Sequence, residues 1–142
     1  MVLLALSCGS TPDCPVGLVA DPPRAAAIAS RVDFDGAICF GAEMGRRPSV
    51  MVLDPSWPDE ALSARLAHLA LHTPLQPGPS CLDDAVAQEA TVRMEELRLR
   101  EAWGVESPPL AWSHVESAEE LELWLRENPD PAVDGYRLRC AE

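Results

Sequence analysis

The apolar positions of this chain change period along its length, and those changes mark out its elements. In "DPPRAAAIASRV", Asp21 stands where an N-cap belongs, prolines occupy the first turn and alanines follow, which predicts a helix. "GAICFG" and "SVMVLD" are short apolar runs rich in β-formers, and the polar "AEMGRRP" between them predicts a β-hairpin with a long loop. "DPSWPDEALSARLAHLALH" then takes up a helical period, with Ser56 and Asp59 at capping-box spacing and Pro58 suited to a first turn. Its Leu62, Leu66 and Leu69 fall within about 60° of arc on a helical wheel and form a core stripe. "TPLQPGPS" breaks the chain, and Ser80 with Asp83 caps the next helix, "CLDDAVAQEATVRMEELRLREAW", which Gly104 can close at its C′ position. "VESPPLAWSHVE" is irregular. Ser117 and Glu120 repeat the capping box for "AEELELWLREN", Pro129 stops that helix, and a polar tail runs to Cys140. The predicted class is α+β: an N-terminal helix, a small hairpin or sheet, then three helices.

Length and charge narrow the options. A chain of 142 residues favours one domain, predicted over 21–142, preceded over 1–20 by a Pro, Gly and Ser-bearing leader and tether. All eleven basic residues are arginine, which with the many Ala, Pro and Leu residues fits a GC-rich coding bias. The net charge of −12, with basic residues clustered only as Arg46-Arg47 and "RLR", would repel a phosphate backbone and excludes nucleic acid as a partner. The sequence carries no Ser-His-Asp logic, glycine-rich phosphate loop or dinucleotide fingerprint. Trp57, Trp103, Trp112 and Trp124 are expected to pack in the core or at its boundary. No run approaches the roughly 20 apolar residues of a membrane span.

The cysteines change the picture. Of five, none is spaced C-x-x-C. "MVLLALSCGSTPD" resembles the end of a bacterial lipoprotein signal, an apolar run and small residues before a cysteine that becomes the lipidated first residue. Its apolar run is short for such a signal, no basic segment precedes it, and Ala5 stands where leucine is more usual. A start placed too far downstream would explain the first two departures. The resemblance implies lipidation at Cys8 and an envelope location, periplasmic or outer, with membrane contact through the lipid alone. Cys14, Cys39, Cys81 and Cys140 then remain as an even set in an oxidising compartment, expected to form two disulfides in any of three pairings.

The candidate chemistry lies in "SARLAHLALHTP". His68 and His72, at i and i+4 of a helix, sit beside one another on the flank of the leucine stripe among small residues. Two imidazoles so spaced can reach one Zn²⁺ at about 2.0–2.1 Å. A third ligand is needed, and on the long helix Glu89, Arg93, Glu96 and Arg100 occupy a seam between two apolar arcs. A carboxylate so placed must find a cation, either a metal or its own i+4 arginine. Glu89 is the first candidate for the third ligand and His114 the second.

A hairpin, a helix with H-x-x-x-H and a helix with a glutamate together resemble the minimal core of gluzincin-type zinc metallopeptidases, over residues 37 to about 103. The resemblance implies a zincin-like fold, with "SVMVLD" as the strand before the site and His68, His72 and Glu89 as ligands. It departs at Leu69, where that family's H-E-x-x-H motif keeps the glutamate that takes a proton from the metal-bound water. Leucine cannot do this, and losing a general base typically removes about 10²–10⁴ of rate. Glu43 or Glu96 would have to stand in. The expectation is therefore a non-catalytic envelope protein with a degenerate zincin-like fold and a binding or structural role toward another envelope protein. Its alternative is a metallopeptidase or metal-binding protein using the same three residues. Cys39-Phe40-Gly41, Ala64 to His72 and Gly135 to Cys140 further resemble segments of small envelope lipoproteins of GC-rich bacteria, which implies a location and no activity.

Overall fold

A computed structural model describes residues 14–106 and 110–141, so the expected signal and Cys8 lie outside the described residues. It is α+β, with five helices and one three-stranded sheet among those residues. They are α1 (Pro22–Ser30), β1 (Ile38–Phe40), β2 (Gly45–Arg46), β3 (Met51–Leu53), α2 (Asp59–Leu71), α3 (Cys81–Ala102), α4 (Ala118–Glu127) and α5 (Pro131–Cys140). The chain forms two compact units that divide after Leu69, within α2.

In the first unit Asp21 caps α1, its side chain accepting from Arg24 N–H at 3.3 Å. The two apolar runs do pair, but not as a hairpin: β1 and β3 are parallel, with Ile38, Cys39 and Phe40 opposite Met51, Val52 and Leu53. The hairpin forms one step later, where Arg46 pairs with Met51 and Arg47 N–H closes the turn on Val50 at 2.9 Å. A short turn replaces the long loop that a β1–β3 hairpin would have needed, in keeping with the usual preference for hairpin loops of about 2–5 residues. β3 becomes the central strand, in the order β1-β3-β2.

Every residue of β1 and β3 is buried, which is why neither run alternates. Ile38, Phe40, Met51 and Leu53 pack with Ile28 of α1 and Leu62 and Leu66 of α2, and Leu69 packs against that cluster. Cys39 and Val52, pointing to the opposite face, are covered by Cys14 and Leu18. Residues 14 to 19 are held there by the Cys14–Cys39 disulfide and a Val19–Phe40 bridge. Helix α2 begins at Asp59, with the Pro58 carbonyl accepting from Leu62 N–H at 3.0 Å. The expected Ser56 box is absent because Ser56 turns back, its N–H and hydroxyl both donating to Asp54 Oδ1 at 2.9 and 2.8 Å. Arg24 joins α1 to the start of α2 through Asp59 at 2.8 Å and the carbonyls of Pro55 and Trp57.

In the second unit α3 carries Val86 and Ala90 into a cluster with Trp112, Val115, Leu121, Leu125 and Val133, flanked by Trp124. Gly104 (φ +67°) ends α3 as expected: its N–H bonds Glu101 and that of Val105 bonds Arg100, the two bonds of a Schellman cap. Ser117 caps α4 by accepting from Glu120 N–H at 3.1 Å. Ser80 makes no such bond, since its hydroxyl donates to Asp84 instead. The expected polar tail is a helix. Asp130 accepts from the N–H groups of Ala132 and Val133, and Pro131 fills the first turn where its missing N–H is not required. The Cys81–Cys140 disulfide joins the start of α3 to the end of α5.

Two disulfides indicate an oxidising, non-cytoplasmic compartment. No helix among the described residues is long and apolar enough to cross a membrane. Sequence separations of 25 and 59 correspond to about 3.5 and about 4 kcal/mol of restricted unfolded chain. Denatured without reductant, these four cysteines should give no thiol signal, and a Cys81→Ala/Cys140→Ala double variant should lose about 4 kcal/mol in urea unfolding. A full thiol count, or a loss below about 1 kcal/mol, would contradict the pairing.

Candidate metal centre

Helix α2 ends at Leu71, so His68 sits in its last turn and His72 immediately follows it. His68 lies one turn before His72 on the same stretch of chain, and its place beside His72 follows from the pitch of that helix. Glu89 lies on α3 and is 3% exposed. One ligand atom from each of His68, His72 and Glu89 lies within 4.8 Å of the other two. His114, the other candidate third ligand, is exposed in a turn and takes no part in the cluster.

The buried carboxylate of Glu89 is held from three sides. His72 Nε2 lies 3.2 Å from Oε1, Tyr136 donates its hydroxyl to Oε1 at 2.6 Å, and Arg93 Nε donates to Oε2 at 2.7 Å. Arg93 then grips Asp130 with both terminal nitrogens, at 2.9 and 2.8 Å. Asp130 is itself the N-cap of α5, so the cap that starts that helix also fixes the arginine. The i+4 pairing expected of Glu89 and Arg93 is present, and Glu96 with Arg100 forms a looser version at 3.8 Å.

Electrostatics follow from this. Burial pushes the Glu89 carboxyl upward, but His72, Tyr136 and Arg93 together outweigh it and hold the group well below the usual carboxylate range. Burial and the bond to Glu89 both raise the Tyr136 phenol, which keeps it neutral and a donor. Arg93 is raised because its bonds to Asp130 and Glu89 outweigh burial. With Glu89 and Asp130 negative and Arg93 positive, these three groups sum to −1.

His72 Nδ1 lies 2.9 Å from Gln88 Oε1. The same oxygen accepts from Thr73 N–H at 3.1 Å, and Gln88 Nε2 donates to Thr73 Oγ1. Neither Gln88, Asp130 nor Tyr136 is among the residues the sequence pattern singled out. The signal for the last two was present: Asp130-Pro131 repeats the Asp21-Pro22 helix start, and helical spacing from it puts Tyr136 within one helix.

Leu69 is partly buried against the core cluster of the first unit, so this side chain serves packing. Glu96, seven residues along α3 from Glu89 and so about 10.5 Å away in helix rise, is paired with Arg100. Glu43 is exposed on the segment between β1 and β2. No family model, curated protein or solved structure matches this chain.

The depressed acidity of Glu89 has a stability consequence with a definite sign. Its contribution is complete above the unfolded glutamate value of about 4.3 and is lost as pH falls below that toward the folded value. Glu89→Gln should cost about 3 kcal/mol in urea unfolding near pH 7. The gap from wild type should shrink by about 1.4 kcal/mol per pH unit below the glutamate range. A gap that stays constant on acidification would show that the Glu89 charge carries none of it.

Proposed function

We propose that this chain is an exported, non-catalytic module that binds a divalent cation, with zinc the best match, through His68, His72 and Glu89. The observation that carries this reading is the convergence of two imidazoles and one buried carboxylate within 4.8 Å. Two nitrogens and one oxygen suit zinc better than calcium or magnesium, which favour oxygen ligands. Tyr136, Arg93 and Asp130 support the carboxylate from behind, as outer partners of a metal ligand commonly do. Leu69 in the general-base position supports a structural or sensing role over hydrolysis. A bound zinc would supply Lewis acidity, but the residues here provide no replacement for the missing base.

The location reading extends this. The disulfides, together with "LALSCGS" ahead of a polar segment, support lipidation at Cys8 and residence at the periplasmic or outer envelope, facing another envelope protein.

Calorimetry on the full chain should give one-to-one zinc binding, lost in His68→Ala and in Glu89→Gln. Absence of binding by the folded wild type would refute the metal reading. Zinc-dependent peptide cleavage abolished by His68→Ala would refute the non-catalytic one. For the anchor, the chain expressed in a bacterium should fractionate with membranes, and Cys8→Ser should release it. A wild type found wholly in the soluble fraction would remove lipidation from the account.

A further inference from the structure

The pair formed by Gln88 and Thr73 determines which nitrogen of His72 is available to a cation. A side-chain amide can be turned end for end, but a backbone N–H can only donate. Thr73 N–H points at one terminal atom of Gln88 from 3.1 Å, so that atom must be the oxygen. The other end of the amide then donates to Thr73 Oγ1, which agrees with that assignment. His72 Nδ1 lies 2.9 Å from this same oxygen and must therefore carry a proton.

We infer that Gln88 is a positioning residue for the cation site: it holds His72 as the Nδ1–H tautomer and so commits Nε2 to the ligand. This rests on the metal reading of His72 and Glu89. Nε2 is the ring nitrogen that faces Glu89 Oε1, at 3.2 Å. Two lone pairs would repel at that separation, and a cation on the Nε2 side would relieve that repulsion. The clamp also removes ring rotation from the binding cost, because His72 follows the last residue of α2 and Gln88 directly precedes Glu89 on α3. Aligning Glu89 and fixing His72 thus fall to adjacent residues of one helix.

The test compares Gln88→Leu, which removes the acceptor, with Gln88→Glu, which keeps an acceptor for both His72 Nδ1–H and Thr73 N–H. Two readouts are taken on the full chain: zinc affinity by calorimetry, and ring ¹⁵N shifts of His72 in chelator-treated protein at a pH where the imidazole is neutral. Zinc affinity should fall about 10–100-fold in Gln88→Leu and stay at or above the wild-type level in Gln88→Glu. The shifts should place the wild-type proton on Nδ1 and show mixed tautomers in Gln88→Leu. Unchanged zinc affinity in Gln88→Leu, or a wild-type proton on Nε2, would overturn the clamp. If the wild type binds no zinc, the metal reading fails by itself, and the ¹⁵N shifts still decide whether Gln88 sets the tautomer.

Discussion

The second unit depends on one buried negative charge. A carboxylate that is 3% exposed cannot stay ionised unless its lone pairs are taken up, and Glu89 satisfies them with a phenol, a guanidinium and an imidazole. Those partners come from three places: Tyr136 from α5, Arg93 from α3 itself, and His72 from just after α2. The constraint then propagates, since Arg93 needs Asp130, and Asp130 is the residue that starts α5. Removing the charge therefore loosens a helix start as well as a hydrogen-bond cluster. Polar networks of this kind specify one arrangement because each member is costly to leave unpaired.

Along α3 and α5 the same two helices are joined at three successive points: Arg93 to Asp130, Glu89 to Tyr136, and Cys81 to Cys140. The order runs down one helix as it runs up the other, so the helices are antiparallel. The covalent link lies at the far end of this series from the cap at Asp130. The disulfide thus ties together the two helices that carry Glu89 and Tyr136.

Much of the architecture was legible where local chemistry decides. The Asp21 cap with its prolines, the Ser117 cap and the glycine at 104 each specify a helix end, and each is found there. The failures share a cause. "GAICFG" and "SVMVLD" read as a hairpin because neighbouring strands usually pair that way, whereas burial on both faces made β3 a central strand with β1 parallel to it. Ser56 and Ser80 had the right spacing, but a different carboxylate, Asp54 or Asp84, took each hydroxyl. The tail went unread because its apolar positions, Val133 and Tyr136, are few, and only the Asp130-Pro131 start announces the helix.

For the site, His68 and His72 were legible from the i, i+4 rule, and Glu89 from its seam between two apolar arcs. What the pattern could not supply was the surroundings. Tyr136 and Asp130 reach Glu89 and Arg93 across separations of 47 and 37 residues, which no local periodicity encodes. Gln88 is invisible for another reason, being one polar residue on a polar flank until the end of α2 is brought to it. X-ray absorption at the zinc edge of the zinc-loaded full chain tests the central claim most directly. Two imidazole nitrogens at about 2.0–2.1 Å and a carboxylate oxygen at about 2.0–2.2 Å are the predicted shell. A shell of water oxygens alone, or one containing a single imidazole, would leave Glu89 as the centre of an ion-pair network and contradict a metal centre.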